Sequence, residues 1–303
     1  MAFGKIKRSS ELFKQSWVVL KDDPALMLFP ILSAAATLAV IASFVLPLFV
    51  SEDLRVAFDE LLASTDPKGG ETDAANGTAS SSGELILFGI AFAFYFVMNF
   101  VTIFFNAALL GAADRKFRGE PGGVSVGLSI AMSRLPQILG WSLVSAVIGT
   151  ILRALEERVG FLGKIAILLV GAAWAIASYF VLPALVLEGL GPIAALKRSV
   201  AVIKKTWGEG LVVAIGLGLV GFVITLLALG IVVGGVLIGA TTKSLVLSGF
   251  IVAFGALLLV TWGIVASTLR SIVQVALYRY ATEGAAPAGF DAAAMQAAFA
   301  AKK

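Results

Sequence analysis

The stretch Gly191–Trp207, GPIAALKRSVAVIKKTW, decides how the rest of the chain is read. Gly191-Pro192 marks a helix start, because proline is tolerated where the first backbone donors have no partner. From there Ile193, Leu196, Val200, Ile203 and Trp207 recur at steps of three and four and share one helical face. Lys197, Arg198, Lys204 and Lys205 take the rest of the circumference. A basic amphipathic helix ending in Trp is built to lie in the plane of a membrane interface. The same arrangement recurs near the start of the chain. There Phe3, Ile6, Phe13 and Trp17 hold the stripe, and Lys7-Arg8-Ser9 repeats Lys197-Arg198-Ser199. Ser10 stands where Val200 stands, so the echo is imperfect.

What surrounds these two helices is apolar. Of 303 residues 59% are apolar and only 14% charged, against about 25% charged in a soluble domain. Six runs are long enough to cross a bilayer: Leu26–Val50, Leu85–Leu110, Ile138–Leu155, Phe161–Leu187, Leu211–Ala240 and Leu245–Ser267. The last continues as helix towards Tyr280. Asp22-Asp23-Pro24 is expected to cap and start the first of them. The fold class that follows is an all-α membrane protein. Its six transmembrane helices form three hairpins, each preceded by a cytoplasmic amphipathic interface helix. The repeat-like units are 1–112, 120–190 and 191–281, the middle one being the weakest copy, with Val126–Leu135 as its interface helix. Residues 1–281 make a single integral membrane domain. The acidic segment 51–84, with the Gly- and Ser-rich run Ser64–Gly83, is its flexible external loop. Residues 282–303 are a cytoplasmic tail in which Met295 and Phe299 supply apolar contacts.

Orientation follows from the placement of Lys and Arg, which concentrate on the inner side. With the N-terminus inside, 17 of the 23 basic residues lie in inner segments and six outside. Both termini are therefore expected in the cytoplasm of a multi-pass plasma-membrane protein.

Several chemistries are excluded or left without support. The chain has no Cys and no His, which removes thiolate chemistry, the commonest general base and the commonest metal ligand. No GxxxxGK[ST] loop occurs. Gly216, Gly218 and Gly221 spell a dinucleotide fingerprint, but they lie inside a span and no acid follows before Glu283. Those glycines, with Gly230 and Gly234 and with Gly235 and Gly239, read as helix-packing contacts. The expectation is no enzyme, no cofactor and no metal. Because the basic residues flank apolar segments, the expected partners are membrane lipids with anionic headgroups, not nucleic acid. A membrane-protein partner fits the same surface.

Two polar features lie within apolar sequence. Tyr95, Asn99, Thr102 and Asn106 follow at steps of four, three and four and fall on one face of the second span. A polar stripe in hydrocarbon must face protein or water, so it makes either interhelical hydrogen bonds or a polar path. Glu188 is the one acid in residues 161–190. It reads as a cap for the following helix, as an ion pair with Arg270, or as a proton or cation carrier.

Phe105–Leu109 (FNAAL), Val181–Glu188 (VLPALVLE) and Gly191–Glu209 (GPIAALKRSVAVIKKTWGE) resemble an uncharacterised family of prokaryotic six-span membrane proteins. The N-terminal SSELFKQSW and the closing LYRYATEG are similar to it as well. The architecture also looks, more distantly, like the membrane domains of some glycerophosphodiester phosphodiesterases and like Yip1-like proteins. The resemblance implies a single integral domain and brings no activity with it. Two expectations follow: a non-enzymatic component that organises lipids or partner proteins through its basic cytoplasmic helices, or a small-solute or lipid transporter that uses the stripe of the second span.

Overall fold

Each apolar run becomes helix in the computed structural model, which describes residues 14–63, 79–205, 209–292 and 295. Helix α1 covers residues 14–22. A 3-10 turn at Pro24–Met27 leads into α2 (Leu28–Val50) and then α3 (Glu52–Ala63). The chain continues through α4 (Ala79–Phe117), α5 (Val124–Ser133), α6 (Leu135–Arg158), α7 (Phe161–Ala177) and α8 (Val181–Glu188). It closes with α9 (Pro192–Lys205), α10 (Glu209–Thr242) and α11 (Leu245–Glu283). Among the described residues, six segments are long and apolar enough to span a membrane: Pro24–Pro47, Leu85–Phe117, Leu135–Arg158, Phe161–Glu188, Gly221–Thr242 and Leu245–Glu283. The protein is a polytopic, helical membrane protein.

Local chemistry explains most of the boundaries. Pro24 opens the turn before α2, although Asp23 makes no side-chain cap bond. The entry therefore rests on the fixed φ of proline and not on the expected carboxylate cap. Ser244 caps α11 by accepting from the Leu247 amide at 3.4 Å. Helix α8 ends at Gly189 with φ +69°, a left-handed conformation that other residues rarely adopt. The Arg134 guanidinium fills the space where a side chain at Gly189 would stand.

Burial is concentrated at one end of the bundle. The buried side chains come from α1 (Val19, Leu20), the 3-10 turn and the start of α2 (Leu26, Phe29), the last turns of α4 (Leu109, Leu110, Phe117) and the start of α6 (Ile138, Trp141). They also come from α8 (Val181, Leu185) and the last third of α11 (Leu269, Ile272, Leu277, Tyr278). Phe290 and Met295, beyond α11, complete this cluster, and the Phe290 ring meets Phe117 edge-on at 5.7 Å. Chain direction alternates correctly at this base: starts of α2 and α6 meet ends of α4, α8 and α11. Towards the other end the spans present apolar side chains outward, such as Leu162, Leu168, Leu245 and Phe250. That surface suits hydrocarbon and would be unstable in water.

The contacts do not divide into three separate hairpins. Helix α4 touches α2, α5, α6, α8 and α11, so it is shared between the units. Helices α10 and α11 do pack along one another. A Cβ on Gly235 would meet Ile251 at 2.9 Å, and one on Gly239 would meet Ser248 at 2.5 Å. These two glycines allow that close approach. Gly230 and Gly234, by contrast, face open space.

Two readings change in three dimensions. The fourth span is not one helix: residues 178–180 form turns that separate α7 from α8. The buried face of α9 is also different. Ala195, Ser199 and Val202 are buried, Leu196, Val200 and Ile203 are half-buried, and Ile193 is exposed. Each buried position precedes a stripe position by one residue, which rotates the docked face by roughly 100°. The apolar stripe finds the greasiest side, but the small side chains at 195 and 199 decide which side the backbone of α9 brings closest to α6, α7, α8 and α11.

Several expected features lie outside the described residues: Phe3, Ile6, Lys7, Arg8 and Phe13 of the N-terminal copy, Trp207 at the end of the quoted stretch, most of the run Ser64–Gly83, and Phe299.

Candidate functional site

The base of the bundle carries three polar assemblies, all completed by the last third of α11. The first is the break in the fourth span. Pro183 has no amide hydrogen, so the carbonyl of Tyr179, four residues earlier, loses its helical donor. Gln274 of α11 donates its Nε2 hydrogen to that oxygen instead. Ser199 of α9 closes the other side. Its hydroxyl donates to the Ala177 carbonyl at 2.6 Å and accepts from the Phe180 amide at 3.0 Å. In hydrocarbon such a break stands only if protein supplies these partners.

The second assembly centres on Glu188, at the end of α8. Its Oε1 accepts from Arg198 Nε at 3.0 Å and Nη2 at 2.9 Å, and from the Tyr278 hydroxyl at 2.5 Å. The expected pairing with Arg270 does not form. Arg270 lies eight residues before Tyr278 on α11, about 12 Å along the axis, and its side chain is exposed. Arg198 sits one helix on from Glu188 and reaches back to it. The side-chain hydrogen bond to Glu188, followed by that to Tyr278, raises the pKa of Arg198 above its ordinary value.

The third assembly is the most buried. Arg279 Nε meets Asp114 Oδ1 at 2.5 Å, with residue exposures of only 8% and 6%. Arg279 Nη1 also meets Glu283 at 3.1 Å, and Asp114 Oδ2 meets Arg118 at 3.2 Å. This chain of charges locks the end of α4 to the end of α11. Gln274, Tyr278 and Arg279 thus serve the α7–α8 break, the end of α8 and the end of α4 from barely more than one turn of α11.

The polar stripe of α4 behaves differently. The Tyr95 hydroxyl lies against Gly149 of α6, where a Cβ would stand 2.5 Å away. Asn99 Nδ2 donates to the Tyr95 carbonyl and Thr102 Oγ1 to the Met98 carbonyl, each at 3.0 Å. Both bonds stay within α4, and among the described residues these two side chains make no interhelical bond. Asn106 is half-buried near the base.

The cations of the expected interface lie around this base. Lys197, Lys204 and Lys205 are exposed on α9. Trp17 on α1 is 37% exposed, and Lys21 stands 5.9 Å from the centroid of its ring. Sequence reasoning missed Ser199, Gln274 and Arg279 as partners. The available signal was a proline inside a span, which demands a donor from elsewhere, and a Gln and an Arg on a helix that otherwise reads as apolar.

Comparison with known proteins adds a family. The family described as a family of unknown function (DUF6159) matches residues 85–290. This region holds five of the six spans and every residue of the three assemblies. No curated protein and no solved structure matches the chain. The expected distant likeness to glycerophosphodiester phosphodiesterase membrane domains and Yip1-like proteins is not among these findings.

Proposed function

The chain belongs to that family of unknown function, and from this premise we propose a non-enzymatic component of the plasma membrane that gathers anionic lipid at its base. In this reading both termini and the base are cytoplasmic, and α9 lies at the inner interface. The observation that carries it is the anchoring of α9. Ser199 holds the helix to the α7–α8 break and Arg198 holds it to the end of α8, while Lys197, Lys204 and Lys205 remain exposed. A held helix keeps its cations at one depth, where each contributes on the order of 1 kcal/mol towards anionic headgroups. Three lysines together would favour an anionic lipid by about 3 kcal/mol, on the order of a hundredfold. Trp17 would set the depth of this surface.

The test is lipid composition around the purified protein. Full-length protein is placed in nanodiscs of mixed phosphatidylglycerol and phosphatidylcholine, and the lipid retained after gentle release is weighed by native mass spectrometry. Wild type should retain phosphatidylglycerol above its bulk fraction, and Lys197→Gln with Lys204→Gln and Lys205→Gln should bring it back to bulk. Equal retention by both proteins would overturn the reading.

A further inference from the structure

An apolar groove of about 720 Å³ runs between α1 and the α10–α11 pair. Trp17 and Val18 form one wall, Leu227 and Ile231 of α10 the second, and Leu258 and Trp262 of α11 the third. Its size is within the range of roughly 300–1,000 Å³ typical of ligand pockets. The indole N–H of Trp262 is already bonded to the Gly221 carbonyl at 3.3 Å, so the ring offers the groove only carbon. Of the described lining residues, Lys14 alone carries a charge. Lys21, two turns beyond Lys14 and one beyond Trp17 on the same helix, holds its ammonium 5.9 Å from the centroid of the Trp17 ring. An apolar groove with one ammonium group in its lining and a second at the ring of its Trp17 wall matches a molecule with an apolar tail and an anionic head.

A second groove provides the contrast that selects the occupant. It has about 540 Å³ between α2, α3 and α4, with Phe44, Phe58 and Phe94 among its walls. It is equally apolar, but the helix beside it carries Glu52, Asp53, Asp59 and Glu60, with Arg55 as its one base. Bulk acyl chains would enter both grooves alike. Helix α1 carries Lys14 and Lys21 against one acid, Asp22, so of the two grooves only the first lies beside a helix of net positive charge.

We propose that the groove between α1 and the α10–α11 pair is a specific site for one anionic phospholipid, its acyl chain against Trp17 and Trp262 and its phosphate at Lys14 and Lys21. The inference rests on the inner-leaflet orientation proposed above, but it uses different lysines. Val19 and Leu20 fix the inner side of helix α1 in the core, and Trp17 and Val18 face outward over the groove.

The experiment is site-resolved photolabelling. Full-length protein is reconstituted in phosphatidylcholine vesicles doped with phosphatidylglycerol or phosphatidylcholine that carries a diazirine in mid-chain, and labelled peptides are mapped. The phosphatidylglycerol probe should label Leu227–Ile231 and Leu258–Trp262 several-fold more than the phosphatidylcholine probe, and unlabelled phosphatidylglycerol should compete. Lys14→Gln with Lys21→Gln should remove the preference, and Leu227→Trp should reduce labelling by filling the groove. Peptides of the α2–α4 groove should show no preference. Equal labelling by the two wild-type probes, without competition, would overturn the proposal, and that comparison needs no variant. A dimeric mass with no labelling by either probe would assign the groove to a second copy and overturn it too. Carrying the α9 triple variant in parallel separates the two readings, because its lysines do not line this groove.

Discussion

Asp114→Ala is the most informative perturbation of this fold. The carboxylate is the main partner of Arg279, and both side chains are about nine-tenths buried. Removing one member of a buried ion pair leaves the other charge uncompensated, at a cost of about 3–5 kcal/mol. Two neighbours bear on the size. Glu283 still holds Nη1 of Arg279, but its side chain is 50% exposed, and exposed pairs contribute only about 0.2–1 kcal/mol. Arg118 is also half-exposed and can turn to solvent. We therefore expect a loss near the lower end, about 3 kcal/mol. Trp141 and Trp174 stack at 5.7 Å within the same base, so intrinsic fluorescence in a mild detergent titrated with a denaturing one reports its unfolding. The double change Asp114→Leu with Arg279→Met should be milder than Asp114→Ala, because it removes both charges from the interior. A single variant within about 0.5 kcal/mol of wild type would refute the reasoning, as that is the range of ordinary surface substitutions. So would a double variant no better than the single one.

The same assay reads three further changes. Ser199→Ala strips a donor from the Ala177 carbonyl and an acceptor from the Phe180 amide, and should cost about 1–3 kcal/mol. Gly127→Ala places a Cβ 2.5 Å from both the Ala108 carbonyl and the Phe29 ring. It should destabilise the docking of α5 on α4 by about 1–3 kcal/mol or more, since backbone cannot move aside cheaply. Asn99→Leu with Thr102→Val removes bonds made only to α4 itself. Stability should change by less than about 1 kcal/mol, and a larger loss would reveal a partner on another helix.

The spans were legible because apolar run length is a local property, and it does not depend on what packs where. The starts at Phe161 and Leu245 agree with the sequence to the residue. The end of α4 does not: the apolar run stops at Leu110, but the helix continues to Phe117. Asp114 makes that extension look polar, and its neutralising partner stands 165 residues away. The break in the fourth span was half visible in Pro183, but the side chains that stabilise it belong to α9 and α11. Helix α9 was correctly placed and wrongly rotated. Residue size, which lets Ala195 and Ser199 approach neighbouring helices, outweighed the apolar stripe. For Glu188 the sequence leaves a helix cap, an ion pair with Arg270 and a proton or cation carrier open; the partner it takes, Arg198, is ten residues away on the next helix.

The clustering of Gln274, Tyr278 and Arg279 on α11 has a consequence for how the protein is made. Synthesis delivers Asp114, the Tyr179 carbonyl and Glu188 well before the helix that completes their bonding. Until α11 arrives, the nascent bundle holds Asp114 with only the half-exposed Arg118 as its partner, and an open Tyr179 carbonyl, at the edge of hydrocarbon, where each is costly. The closing event of biogenesis is thus the docking of the final helix, and it seals the three assemblies together. A chain that stops short of Gln274 would present those groups to lipid or to membrane quality control, even with five spans already inserted.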